Sequence, residues 1–338
     1  MQVTDSKEDR QDAATYDVVV VGGGAAGLSG TLMLGRSRHS VLVIDAGEPR
    51  NAPAAAVHGF LSRDGISPTE LLEKGRAEIR GYGPQVVEGR VTSVERIEDG
   101  FVVTLDDGGS VSARRLLVTT GLIDELPDIP GVRERWGRDV LHCPYCHGWE
   151  VRDQAIGILG TGPMAVHQAQ LFRQLSADVV LFRHTSPTLS EEQAEQLTAR
   201  NITVVDGEIS ALEVHDDRLT GVRLRSGEFV PRQAVVVAPR FVARAEVLSA
   251  LGLETTDREI SGHVLGGYVP ADATGATTVP GVWVAGNVAD PFGQVAAAVN
   301  AGAQAGAHIN ADLIAEDTRQ AVAAHRDLMS STAGTRRS

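Results

Sequence analysis

A chain of 338 residues exceeds the size at which one hydrophobic core keeps growing, so two domains are expected. Hydrophobic residues make up 42% and charged residues 22%, with 37 glycines, the profile of an α/β protein rich in tight turns rather than of a disordered chain. The balance of 31 basic against 44 acidic side chains, net −13, repels phosphate backbones and anionic membrane surfaces and argues against a nucleic-acid or membrane partner.

Residues 1–14 are polar and lack an apolar segment, which predicts a disordered tail rather than a secretory or transit peptide. No apolar run reaches transmembrane length, and a cytoplasmic location is expected, where a structural disulfide is unusual. The first structured segment, Tyr16 to Val21, leads into Gly22-Gly23-Gly24-Ala25-Ala26-Gly27, a G-x-G-x-x-G turn between strand and helix. In such a turn Gly22 permits the tight bend, Gly24 lets the backbone approach a pyrophosphate, and Gly27 lets helix and strand pack closely. Asp45 closes the next strand, 21 residues beyond Gly24, where a carboxylate can accept a ribose hydroxyl.

The arrangement then returns. Ala155 to Leu159 leads into Gly160-Thr161-Gly162, and a second strand, Asp178 to Phe182, ends at Arg183. Val86-Val87-Glu88-Gly89 and Val204-Val205-Asp206-Gly207 each open a run of strand-like segments, so the chain reads as two copies of one nucleotide-binding unit. The glycine motifs are 138 residues apart and the Val-Val-acid-Gly segments 118, which leaves about 20 extra residues in the first copy between Ala46 and Gln85. This insertion is either a plain surface loop or a wall over the redox ring of whatever the first copy binds. A third signal, Gly281 to Asn287 followed by Gln294 and the small residues Val295 to Ala307, belongs to neither copy and predicts a strand, turn and helix that complete the first domain. The expected fold is therefore α/β with two Rossmann-like domains, the second (127–249) inserted into the first (15–126 and 250–319), and with 320–338 as a fraying tail.

Between the copies lies His142-Cys143-Pro144-Tyr145-Cys146-His147, which holds both cysteines of the chain. A structural zinc site needs a second pair of ligands at similar spacing, which is missing. The spelling C-x-x-C-H also matches c-type haem attachment, for which the chain lacks an export signal. A pair of inert buried thiols stays open, and a redox disulfide is the reading best suited to the spacing, which lowers a thiol pKa and closes a small ring.

Two nucleotide folds with a C-x-x-C just before the second glycine motif resemble the low-molecular-weight thioredoxin reductases over about 300 residues, with Thr119-Thr120-Gly121 in place of their Ala-Thr-Gly. The resemblance implies non-covalent FAD held by Gly22, Gly24, Ala25, Ala26, Gly27, Asp45, Ala46, Arg50, Asn51, His58, Gly121, Gly286, Asn287, Gln294 and Val295, and a homodimer. It also implies that Cys146 faces the flavin and Cys143 attacks the substrate sulfur. Three positions depart from that pattern. His147 replaces the usual Asp and supplies an imidazole for proton transfer. Phe182-Arg183-His184-Thr185-Ser186-Pro187 replaces the arginine cluster that grips the 2′-phosphate, which makes NADPH binding doubtful. Asn287 stands where Gly-Asp is usual, and its amide can still bond a ribityl hydroxyl.

C-x-x-C-H with a degraded NADPH site is similar to the dithiol oxidases that close disulfides in natural products of the gliotoxin and holomycin type. The leading expectation is thus oxidation of a small-molecule dithiol through Cys143, Cys146 and His147, with dioxygen as acceptor and no metal. The alternatives are an NADPH-dependent reductase acting on a thioredoxin-like protein and a non-enzymatic flavin redox sensor.

Overall fold

The computed structural model describes residues 14–260 and 262–335, so nearly all of the expected N-terminal tail lies outside the described residues. The chain begins with β1 (Thr15–Val21), α1 (Ala25–Arg36), β2 (Val41–Asp45), α2 (Pro68–Arg80) and β3 (Gln85–Glu88). The antiparallel run β4 (Val91–Ile97), β5 (Gly100–Leu105) and β6 (Ser110–Val118) follows, then β7 (Leu122–Glu125). The first sheet has the order β3-β2-β1-β6-β5-β4, with β3, β2, β1 and β6 mutually parallel. Alternation along β1 explains its unbroken apolar run. Val19 and Val21 join Leu42, Ile44 and Leu116 in one core, while Val18 and Val20 join Val41, Val43 and Leu117 in the core on the opposite face.

The second unit opens with α3 (Val132–Arg135), β8 (Val140–Leu141) and the single turn α4 (Pro144–His147). It continues through β9 (Ile156–Leu159), α5 (Ala165–Phe172), β10 (Val179–Phe182), α6 (Glu191–Ala199) and β11 (Thr203–Val205). An antiparallel β12 (Ile209–His215), β13 (Arg218–Leu224), β14 (Phe229–Pro231) precedes β15 (Ala234–Val236). Its parallel sheet, β11-β10-β9-β15-β8, has a core on each face, as the internal repeat predicts.

The chain then returns through β16 (Arg240–Ala243), α7 (Glu246–Ser249), β17 (Thr256–Ile260), β18 (His263–Tyr268) and β19 (Val282–Val284) to α8 (Val295–Thr335). β19 pairs parallel with β6, so the third signal does complete the first sheet and the second Rossmann-like unit is inserted into the first. The return point differs from the expected residue 250. β16 pairs antiparallel with β7, and Ala243, Val247 and Leu248 already lie in the first unit's core, which moves the boundary about ten residues earlier.

The expected C-terminal tail is corrected more fully, because α8 stays helical to Thr335. The segment from Asp317 has helix-favouring alanines at 321, 323 and 324 and no proline, and Thr318 Oγ1 and Ser330 Oγ bond back to the carbonyls of Ile314 and Arg326. Upstream, Arg115 Nε bonds Asp312 at 2.6 Å, and Arg115 and Arg114 both reach Glu316. Burial by itself would raise the Glu316 carboxyl; these two guanidinium groups overcome it and hold the carboxyl below its usual range. Helix α8 crosses α1 with backbones in contact: a Cβ on Gly302 would fall on the Ala26 carbonyl, and one on Gly306 would sit 2.6 Å from the Gly30 oxygen.

The extra length in the first copy is a loop, 46–67, ahead of α2; in the second copy only 183–190 separates β10 from α6. Because α2 and α6 otherwise correspond, the loop itself is the inserted feature. It lies against the second unit: a Cβ on Gly137, at φ +80°, would meet Pro53 Cβ at 2.7 Å and the Pro53 carbonyl at 2.9 Å.

Candidate active site

A cavity of about 790 Å³ runs from the first glycine turn to the cysteine pair. Gly22, Gly24, Ala25, Ala26, Asp45, Ala46, Arg50, Asn51, His58, Gly121, Gly286, Asn287, Gln294, Val295, Cys143, Cys146 and His147 all line it. Gly27 does not. It lies behind the turn, where a Cβ would collide with the Gly22 carbonyl and come 2.7 Å from Thr119 Oγ1, as its predicted packing role requires.

The cradle suits a dinucleotide. A Cβ built on Gly24 meets no atom within 4 Å, so the backbone lies open to the cavity, and Gly24 caps α1 with no side-chain bond to the helix's free amides. Those amides and the positive end of the helix attract a pyrophosphate. Asp45, at the end of β2, receives Arg76 Nη2 at 2.6 Å, so α2 holds the carboxylate in place at the cavity wall.

Several side chains expected to touch the cofactor also serve the protein itself. Arg50 bonds Asp124 through Nε at 2.8 Å and Nη2 at 2.6 Å, and Asn287 Oδ1 through Nη1 at 3.2 Å, while stacking 5.2 Å over Phe241. The insertion is thereby tied to β7 and β16. Asn287 uses its amide nitrogen to close the following turn, donating to the carbonyls of Asp290 at 2.9 Å and Gly293 at 2.8 Å, which leaves a lone pair of Oδ1 as its remaining capacity toward a ligand. Gln294, just before α8, points its amide at Cys143 Sγ at 3.8 Å.

Cys143 and Cys146 are disulfide-bonded, with Cα atoms 5.3 Å apart, and both are half-buried. Cys143 precedes the α4 turn, and Pro144 at the first helical position is preorganised for it. Cys143 Sγ accepts the Cys146 N–H at 3.2 Å, and the Cys143 carbonyl accepts the His147 N–H at 3.2 Å. One helical turn therefore carries both sulfurs and the imidazole. Burial pushes His147 below its usual pKa, with nearby Glu150 pulling it up and His58 pushing it further down. The ring is thus neutral at pH 7 and able to take a proton.

His142 was legible only as a neighbour of the motif. Its Nδ1 lies 3.0 Å from the Val237 carbonyl, which can only accept, so Nδ1 carries the proton. Gln168 presents Nε2 to the same atom at 3.3 Å and leaves its buried Oε1 without a partner; turning the amide over lets Oε1 share that proton. Nε2 of His142 is then the unprotonated nitrogen. Burial, first of all, holds this imidazole below its ordinary value, and its edge packs on Phe241, which packs in turn on Phe292. His58 Nε2 lies 3.3 Å from Glu150, linking the insertion to the turn after α4. Asp124, Phe241, Phe292 and Glu150 had no signal in the sequence, because each is one ordinary residue brought in by a different element.

In the second glycine motif Gly162 meets no atom within 4 Å, as at Gly24, while Gly160 is packed against the end of β10 much as Gly22 is packed against Thr119. The amides of Thr185 and Ser186 donate to the Gly160 carbonyl at 3.1 and 3.0 Å, and Ser186 Oγ would lie 2.9 Å from a Cβ on Gly160. Arg183 is bound by Asp206 at 2.5 Å, and His184, at φ +44°, accepts the Ile209 amide at 2.9 Å. Among the described residues no three His, Cys, Asp or Glu side chains gather to hold a metal, and no helix is long and apolar enough to cross a membrane.

The crystal structure of HlmI superposes with a TM-score of 0.86 at 49% identity, covering 94% of this chain and 98% of that one. Thioredoxin reductase sirT of Leptosphaeria maculans is 29% identical over 319 residues, 89% of this chain and 95% of its own. A probable thioredoxin reductase of Arthroderma benhamiae is 36% identical over 174 residues, 49% of this chain but only 43% of that protein. The model of the pyridine nucleotide-disulphide oxidoreductases matches residues 16–305, the span that holds both glycine turns, the disulfide and the start of α8; the chain belongs to that family of FAD-dependent oxidoreductases.

Proposed function

We propose that the protein is a dithiol oxidase that closes a disulfide in a small molecule. The observation that carries this reading is the shared cavity: the Cys143–Cys146 disulfide and His147 open onto the space lined by the first glycine turn, whereas Arg183, the one arginine directly after β10, is engaged by Asp206. Electrons then enter from thiols rather than from a nicotinamide.

In this reading His147 accepts the proton of a substrate thiol, and the thiolate attacks Cys143 Sγ. The Cys143–Cys146 bond breaks and Cys146 leaves as a thiolate. The second substrate sulfur, once deprotonated, attacks the first, closing the product disulfide and releasing Cys143. Two electrons have passed from substrate to the enzyme sulfurs. Bound FAD supplies the two-electron acceptor that restores the disulfide, dioxygen taking the pair with two protons as hydrogen peroxide. Gly24 and the α1 amides would hold the pyrophosphate, Asp45 would receive a ribose hydroxyl, and Arg50, Asn51 and His58 of the insertion would help wall the cofactor.

The relatives named thioredoxin reductase favour a second reading, NADPH-dependent reduction of a thioredoxin-like protein. Anaerobic mixing with NADPH, and separately with small dithiols, decides between the two through flavin absorbance. Dithiols bleach the flavin rapidly and NADPH slowly if the oxidase reading holds; rapid bleaching by micromolar NADPH refutes it.

A further inference from the structure

A second cleft, of about 550 Å³, is lined in part by His147. Its walls come from the insertion (Pro53, Ala55), from α3 and the turn after it (Arg135 to Asp139), and from the β12–β13 turn (Asp216, Asp217, Arg218). Pro53, Gly137 and His147 line this cleft and the large cavity alike, so the two adjoin at His147, one turn from Cys143. The large cavity has the volume of a single bound ligand and its polar groups suit a dinucleotide. A thiol that must reach Cys143 while FAD is in place needs another approach, and the geometry of the second cleft supplies one.

The cleft also carries a free recognition group. Arg135, whose side chain is 6% exposed, is held by Asp139 and by Asp217 at 2.7 Å, and Arg138 is bound by Asp217 at 2.9 Å. Arg218, an exposed residue lining the cleft, has no carboxylate or carbonyl side-chain partner among the described residues. A planar fork with open donors takes an acceptor oxygen.

We infer that this cleft is the substrate port, through which a thiol compound bearing a carboxylate or carbonyl oxygen reaches Cys143 past His147, its oxygen bonded by Arg218. The inference rests on the dithiol-oxidase reading for its substrate, but the port can be tested without turnover. In the FAD-loaded Cys146→Ser protein, Cys143 is a free thiol whose reaction with dithiobis(nitrobenzoate), an anionic disulfide, and with dithiodipyridine, an uncharged one, is followed by the released chromophore. Ala55 is an exposed loop residue, so Ala55→Trp fills the cleft without entering a core. Ala55→Trp is expected to slow both reagents about tenfold or more with FAD content and melting temperature unchanged. Arg218→Met is expected to slow the carboxylate reagent about fivefold and to leave dithiodipyridine unaffected. Unchanged rates with both reagents in Ala55→Trp overturn the port, and equal rates with the carboxylate reagent in Arg218→Met overturn the recognition by Arg218. If the wild-type flavin proves to be reduced by NADPH and not by dithiols, the oxidase reading fails while the labelling result still stands or falls by itself.

Discussion

Replacing His147 by Ala removes the only imidazole on the turn that carries both sulfurs, and the size of the loss follows from the position of that group. Burial holds His147 below its usual pKa, so in the native protein it is unprotonated and ready at neutral pH. Without it, the reaction depends on thiolate that forms unaided. A free thiol with a pKa of about 8.5 is roughly 3% ionised at pH 7 and about three-quarters ionised at pH 9. His147→Ala should therefore slow flavin reduction by dithiol about 30-fold at pH 7, with the deficit shrinking to less than about twofold at pH 9. In the wild type the lowered pKa should displace the acid limb of the profile below about pH 6.5. Anaerobic stopped-flow mixing with dithiol from pH 6 to 9 measures all of this, with FAD content checked in parallel. His147→Asp should regain part of the rate. A His147→Ala protein as fast as the wild type at every pH would remove the residue from the mechanism, and His142 or His58 would have to be tried in its place.

The two cysteines are expected to behave unequally: Cys143→Ser leaves Cys146 as a thiolate beside oxidised flavin and gives a long-wavelength charge-transfer band, and Cys146→Ser does not. Near-normal dithiol oxidation by either variant contradicts the relay. Gly302→Val places a side chain on the Ala26 backbone, forcing α8 away from α1 and the glycine turn that α1 opens. It should cost about 1–3 kcal/mol or more and lower FAD content, read by denaturant midpoint and flavin absorbance. His142 and His147 are both held below their unfolded value by burial, so at mildly acidic pH the unfolded chain binds more protons than the folded one. Stability should fall as pH drops below about 6.5 and level off beneath the folded pKa values, with a flatter urea-midpoint profile in the double variant His142→Gln, His147→Gln. A wild-type midpoint that does not change between pH 7.5 and 5 refutes the assignment of neutral buried rings.

Much of the fold is written locally. The valines of β1 are apolar without interruption because both faces of a central parallel strand are covered, and the glycine spacing after it is dictated by close backbone contacts at Gly22 and Gly27 and by the open face at Gly24. Such constraints act between residues close in sequence, and the duplication made them readable twice. The cysteine pair was equally plain, since both its sulfurs and His147 fit on one turn. The C-terminal segment was misread because its polar end looks like a tail, although its alanines and long side chains propagate a helix already anchored through Arg114 and Arg115.

What the sequence could not contain was the meeting of distant residues. Arg50 is held by Asp124 and Asn287, 74 and 237 positions away, and His58 meets Glu150 across the boundary between units. The packing of Thr185 and Ser186 on the Gly160 carbonyl follows a left-handed residue at His184 that no pattern announces. Composition and periodicity determine which elements form and which faces they bury, because those choices are made by neighbours along the chain. The cavity, its walls and the cleft beside His147 arise where segments far apart in the chain pack together, and only the tertiary structure sets the distances between them.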